Sequence, residues 1–278
     1  MRKRLNGLKM IASAAALAAL CVSGVRAEEL AGAVEVLRGA DVVILGEVHD
    51  NPVHHQRQAH LLLALKPRAV VWEMITAEQA EGLEASILGD AEQTAEALNW
   101  AVSGWPEFGL YAPVFAAAKG ARQYGALVPR SDATKIMSEG AVAYFGAGAA
   151  ALFGLDQPLP ETEQAAREAD QQANHCNAMP EEMLPVLVDF QRLRDAALAA
   201  AADKALAETG GPVAVITGNG HARMDRGLTI YLANARPEAA IRSLGQSEDG
   251  QISGQFDLVL DAPSVERPDP CLAFHKDG

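Results

Sequence analysis

Three times in this chain a short run of aliphatic, mostly β-branched residues halts on a glycine or an acid. Val42-Val43-Ile44-Leu45 runs into Gly46-Glu47-Val48-His49, Ala69-Val70-Val71-Trp72 into Glu73, and Val213-Ala214-Val215-Ile216-Thr217 into Gly218-Asn219-Gly220-His221. Runs this short and this free of polar residues suit strands buried on both faces of a parallel sheet. The segment between the first two is of βαβ length, which predicts a right-handed crossover and two adjacent parallel strands. Asn51 and Pro52 supply an N-cap and a first helical residue for the connecting helix. The polar terminations then share the carboxyl edge of an open α/β sheet, where ligands bind.

The rest of the chain fits around these runs. Residues 76–101 read as one or two amphipathic helices broken at Ser103-Gly104-Trp105-Pro106, with a further helix from about Leu110 to Lys119 and a short strand at Gly125 to Val128. Residues 135–208 are helical by pattern. They include an Ala- and Gly-rich part around Tyr144 and Phe145, and a long helix from Glu181 to Leu206 with one broad apolar side. A helix at 225–235 with Asp225 as its cap, and strands near 240–244 and 256–260, complete the reading. The fold class is α/β: a mostly parallel central sheet flanked by helices, with a helical insertion or lid in the middle third, in a single domain over residues 28–278.

Residues 1–27 stand apart. Arg2, Lys3, Arg4 and Lys9 precede an apolar run from Met10 to Val22, and Val25-Arg26-Ala27 offers a signal-peptidase site, so the chain reads as carrying a cleaved secretory leader. Cys21 follows the bulky Leu20 where a lipid-anchored leader wants a small residue, which favours a free periplasmic or secreted protein over an anchored one. Removing five basic residues and no acids leaves 18 basic against 36 acidic residues, a formal charge of −18. Such a chain repels nucleic acid and anionic membranes, which bind through basic residues. Cys176 and Cys271 remain, either as a disulfide joining the tail to the middle of the domain or as two thiols.

The strand ends bring Glu47, His49, Glu73 and His221 towards one edge. Two carboxylates and two imidazoles suit a divalent ion such as zinc, manganese or iron, and equally a metal-free acid/base set for a hydrolase. The segments GEVHDNPVHHQRQ, VVWEM, HCNAMPEEMLP with QRLRDAALA, and ITGNGHARMDRGLTIYL together resemble the ChaN-like haem-binding proteins of bacteria, across roughly residues 41–232. These stand within a wider group that includes Tiki-type metalloproteases and erythromycin esterases. The resemblance implies an α/β fold, export, haem binding in iron acquisition, an outer-membrane haem receptor as partner, and haem held through a tyrosine, with a stacked pair across a homodimer. It also implies, from the wider group, that Glu47, His49, Glu73 and His221 hold a metal or act as acid/base catalysts. Tyr111, Tyr124, Tyr144 and Tyr231 are the tyrosines available. Tyr144 is preferred because its Gly/Ala-rich surroundings admit a flat macrocycle. His54 and His55, read as the exposed start of a helix, are alternative axial ligands, and Arg223 is a partner for a propionate.

Overall fold

The computed structural model describes residues 28–273. A helix at residues 28–37 (α1) leads into β1 (Val42–Glu47), α2 (Pro52–Leu65), β2 (Ala69–Trp72), α3 (Ala77–Glu81), α4 (Ala91–Ala97), α5 (Phe108–Ala117) and β3 (Arg122–Gly125). Five helices follow: α6 (Ala133–Glu139), α7 (Ala141–Phe145), α8 (Ala147–Phe153), α9 (Glu161–Asn174) and α10 (Leu184–Thr209). The chain then forms β4 (Val213–Gly218), α11 (Asn219–Ala222), α12 (Leu228–Ala235), β5 (Ile241–Glu248) and β6 (Leu258–Ala262).

The six strands make one parallel sheet in the order β3-β2-β4-β1-β5-β6. The expectation that β1 and β2 are neighbours is therefore wrong: β4 lies between them, pairing Ile44 with Val215 on one side and Val71 with Val215 on the other. The reason is burial. All six residues of β4 are buried, and an apolar strand of that kind gains most from a central position. The alternation of side chains divides the core in two. Val43, Leu45, Val70 and Trp72 face α1, α2 and α5, with Trp72 stacked on Phe115 at 3.9 Å. Val42, Ile44, Val71 and Val215 face the helical middle third and α12.

This division fixes where a ligand meets the sheet. The chain leaves β1 towards one face and β4 towards the other, so the carboxyl ends of these neighbouring strands form a topological switch point with a crevice between the diverging loops.

Two local readings change, and one left open is settled. The third strand lies at Arg122–Gly125, earlier than expected, because its residues are polar: Gln123 is buried by accepting from Trp72 Nε1 (2.7 Å) and donating to the carbonyls of Ala121 (2.7 Å) and Ala118 (3.0 Å). Asp225 caps no helix; α12 begins after Gly227 and has no side-chain cap. Cys176 and Cys271 are joined in a disulfide across a sequence separation of 95. The leader, its cleavage point and Cys21 lie outside the described residues.

Candidate functional site

β1 carries Glu47 to its carboxyl end, and the turn that follows brings His49 back over the same edge. Asn51 ends the turn as expected, its side chain accepting from the Val53 amide at 3.0 Å to start α2. β2 delivers Glu73 one strand further away, and β4 with α11 delivers His221. Gly218 lets them meet across β4: a Cβ there would lie 2.8 Å from His49 Nε2.

The result is an alternating line of acids and imidazoles. Glu47 Oε1 accepts from His49 Nδ1 at 2.8 Å and from the Tyr111 hydroxyl at 2.9 Å. His49 Nε2 lies 3.8 Å from Glu73 Oε1, and His221 Nε2 lies 3.5 Å from the same oxygen. The line ends where His221 Nδ1 meets Asp195 Oδ1 at 2.7 Å. The other oxygen of Glu73 accepts from Thr217 Oγ1 and the Gly218 amide, both at 2.7 Å. Trp105 lies against the His49 ring, with centroids 4.8 Å apart.

The charges hold one another. Burial would discharge His49, but its hydrogen bond to Glu47 and the charges of Glu73 and Glu47 outweigh it and lift its pKa to about 9. His221 is raised too, because the charges of Glu73 and Asp195 overcome its burial. Glu73 is buried, which favours its neutral form, yet His221, His49 and its two hydrogen-bond donors hold its pKa below the ordinary value.

The structure thus brings together all four predicted residues of the sheet edge. Both Nε2 atoms face Glu73 Oε1, and among the described residues no group of three or more His, Cys, Asp or Glu side chains is arranged to hold a metal ion, so a divalent ion is without support here.

The remaining predicted residues are placed otherwise than expected. His54 and His55 are buried, not exposed. His54 Nδ1 accepts from the Val48 amide at 2.9 Å and its Nε2 faces the Ser247 carbonyl at 3.3 Å. His55 Nε2 donates to the His49 carbonyl at 2.9 Å, and its ring meets Tyr111 edge-on. Both histidines brace the turn from beneath. Arg223 is committed to Asp225, which it engages through Nε and Nη2, so it offers no free fork to a propionate.

The tyrosines separate into two pairs. Tyr111 and Tyr231 are buried, the first against Glu47 and the second accepting from Arg192 Nε at 3.3 Å. Tyr124 and Tyr144 line a cleft of about 630 Å³ between α3, β3 and α10, with Phe145, Leu127 and the small side chains Ala197, Ala200 and Ala201. The Tyr144 hydroxyl donates to Asp132 Oδ2 at 2.6 Å; burial and Asp132 push its phenol up to about 12. The Tyr124 hydroxyl donates to Glu208 at 2.9 Å.

Asp195, Gln191 and Trp105 were missed in the sequence, as was the part played by Tyr111. Asp195 had a visible signal: it is an acid within the apolar side of α10, flanked by the buried Leu193, Ala196 and Leu198. An acid so placed needs a partner.

A parallel sheet with a polar line at its switch point, beside an apolar cleft, defines an α/β ligand-binding protein. Residues 33–232 match the family described as haem-binding uptake, Tiki superfamily, ChaN, and the chain belongs to that family. Among solved structures, one of Campylobacter jejuni ChaN with cofacial haem binding is 22% identical, with a TM-score of 0.61 over 81% of this chain and 88% of that one. The type III effector HopBA1 (13% identity, TM-score 0.46, 81% and 88% covered) and a Bacillus cereus protein (16%, 0.44, 77% and 67%) are more distant. No curated protein matches the sequence.

Proposed function

We propose that this is an exported haem-binding protein of haem or iron uptake, which takes haem into the cleft between α3, β3 and α10 and binds the iron through Tyr144. The observation that carries the placement is the cleft itself. Its volume of about 630 Å³ is within the range of small-molecule sites, and its walls combine Phe145 and Leu127 with the alanines of α10, which leave room for a flat ring. A phenolate oxygen is an established ligand of haem iron, and Asp132 is in place to accept the proton that the Tyr144 hydroxyl gives up. Export is supported by the leader-like residues 1–27 and by the Cys176–Cys271 disulfide, a bond that persists in oxidising compartments. Cofacial binding, as in the Campylobacter jejuni structure, fits a homodimer that forms on loading, with an outer-membrane receptor as the source of haem.

A hydrolase built on Glu47, His49, Glu73 and His221 is not favoured. A general base for neutral pH needs a pKa near 7, and His49 is held protonated up to about 9.

Haemin titration of the mature protein, followed by absorbance and by molecular size, tests the proposal. The expected result is a saturable, shifted Soret band that Tyr144→Phe alters, accompanied by a rise in mass. A Soret band identical in Tyr144→Phe moves the ligand elsewhere, with Tyr124→Phe as the next variant. No saturable band at all overturns haem binding.

A further inference from the structure

Beside the polar line the surface opens into a small recess of about 70 Å³, lined by Glu73, Trp105, Leu127, Arg130, Arg194 and Leu198 among others. Most of the described arginines are engaged by acids, among them Arg167 by Glu163, Arg223 by Asp225, Arg226 by Glu163 and Asp170, and Arg267 by Asp50 and Glu248. Arg130 and Arg194 are different. Neither guanidinium has an acidic or hydrogen-bonding partner among the described residues. In a chain with 36 acids, two unpaired guanidiniums facing one recess mark a place kept for an anion from outside.

Volume and walls narrow the anion. The recess holds the equivalent of about two waters, enough for a planar two-oxygen head and a carbon or two. Trp105, Leu127 and Leu198 suit a hydrocarbon stem. Glu73 on the same wall disfavours a doubly charged phosphate, whereas a single carboxylate is matched by two forked donors. The recess also shares residues 126–128 with the cleft of about 630 Å³, so a ligand lying in the cleft is able to extend an acidic arm into it.

We infer that Arg130 and Arg194 form a carboxylate-binding subsite. Two sources have this chemistry: a propionate arm of haem, which rests on the function proposed above, and a free short-chain acid, which does not.

The test uses the mature protein and Arg130→Gln, Arg194→Gln and the double variant. Each is titrated calorimetrically with sodium propionate and spectroscopically with haemin and haemin dimethyl ester. The subsite predicts that at least one carboxylate probe binds about tenfold or more weakly to the double variant, the order of loss expected when a charge-assisted forked contact is removed. If haemin weakens while its ester does not, the source is the propionate arm. If propionate itself binds wild type and is lost in the double variant, the source is a free acid. If haemin and its ester both fail to bind wild type, the haem reading fails and the propionate titration alone decides the subsite. Unchanged affinity of every carboxylate probe in the double variant, or no binding of any, overturns it. Arg130, the more exposed of the two, supplies a variant that keeps the fold should Arg194→Gln unfold.

Discussion

The polar line and the apolar cleft are built on the same helix, yet they are opposites. α10 contributes Asp195, and Gln191 whose Nε2 lies 3.0 Å from His221 Nδ1, to the first and, within the next two turns, Ala197, Ala200 and Ala201 to the second. In the line, acid and imidazole neutralise each other, and both oxygens of Glu73 have positive or hydrogen-bonding neighbours. In the cleft, small side chains leave space that no described residue fills. A network of paired polar groups sets geometry, and an open apolar surface is suited to a ligand. The residues most conspicuous in the sequence, Glu47, His49, Glu73 and His221, are paired with one another at the sheet edge, whereas most of the cleft's lining, apart from Tyr144, carries no mark in the sequence.

The strongest way to break this contrast is Glu73→Ala. It leaves His49 and His221 without their shared acid and orphans two donors, so unfolding in denaturant should show a loss of about 3–5 kcal/mol, while the folded protein still gives a saturable Soret band. A stable Glu73→Ala protein that no longer binds haem would reverse the two roles. Ala201→Trp should do the opposite: haem affinity falls about tenfold or more in a Soret titration, while stability moves by less than about 1 kcal/mol.

A titration of stability with pH separates the regions further. Because His49 is raised from 6.5 to about 9, its contribution is complete below 6.5 and is lost as pH rises through 9. The midpoint of thermal unfolding should therefore decline across that window, and His49→Asn should flatten the decline. The smallest effect belongs to Arg223→Ala. Its ion pair with Asp225 is near the surface, so stability should drop by less than about 1 kcal/mol and haemin should bind within about twofold of wild type.

Strands with apolar signatures were legible. β1, β2 and β4 lie where their residues predicted, and the meeting of Glu47, His49, Glu73 and His221 followed from three strand ends on one edge. The order of the strands was not legible, because which apolar strand becomes central depends on pairings between distant segments. β3 was misplaced because Gln123 is buried by hydrogen bonds rather than by apolarity. The burial of His54 and His55 was legible but overlooked: with Gln58, Leu61 and Leu62 they repeat at helical spacing and form the inner face of α2. The cleft was the least legible feature, since Tyr144, Leu127 and Ala200 acquire a common surface only when β3, α7 and α10 are assembled.

The place of β4 also bears on how the chain is made. A polypeptide emerging from its amino end can set β2 beside β3, but β1 has no neighbour on either side until Val213 and Ile241 are available. Nucleation of the sheet waits on contacts of long sequence separation, which form slowly. Until most of its length has been synthesised, the chain has no complete core to collapse around, and a polypeptide in that condition can still be threaded through a narrow translocation pore.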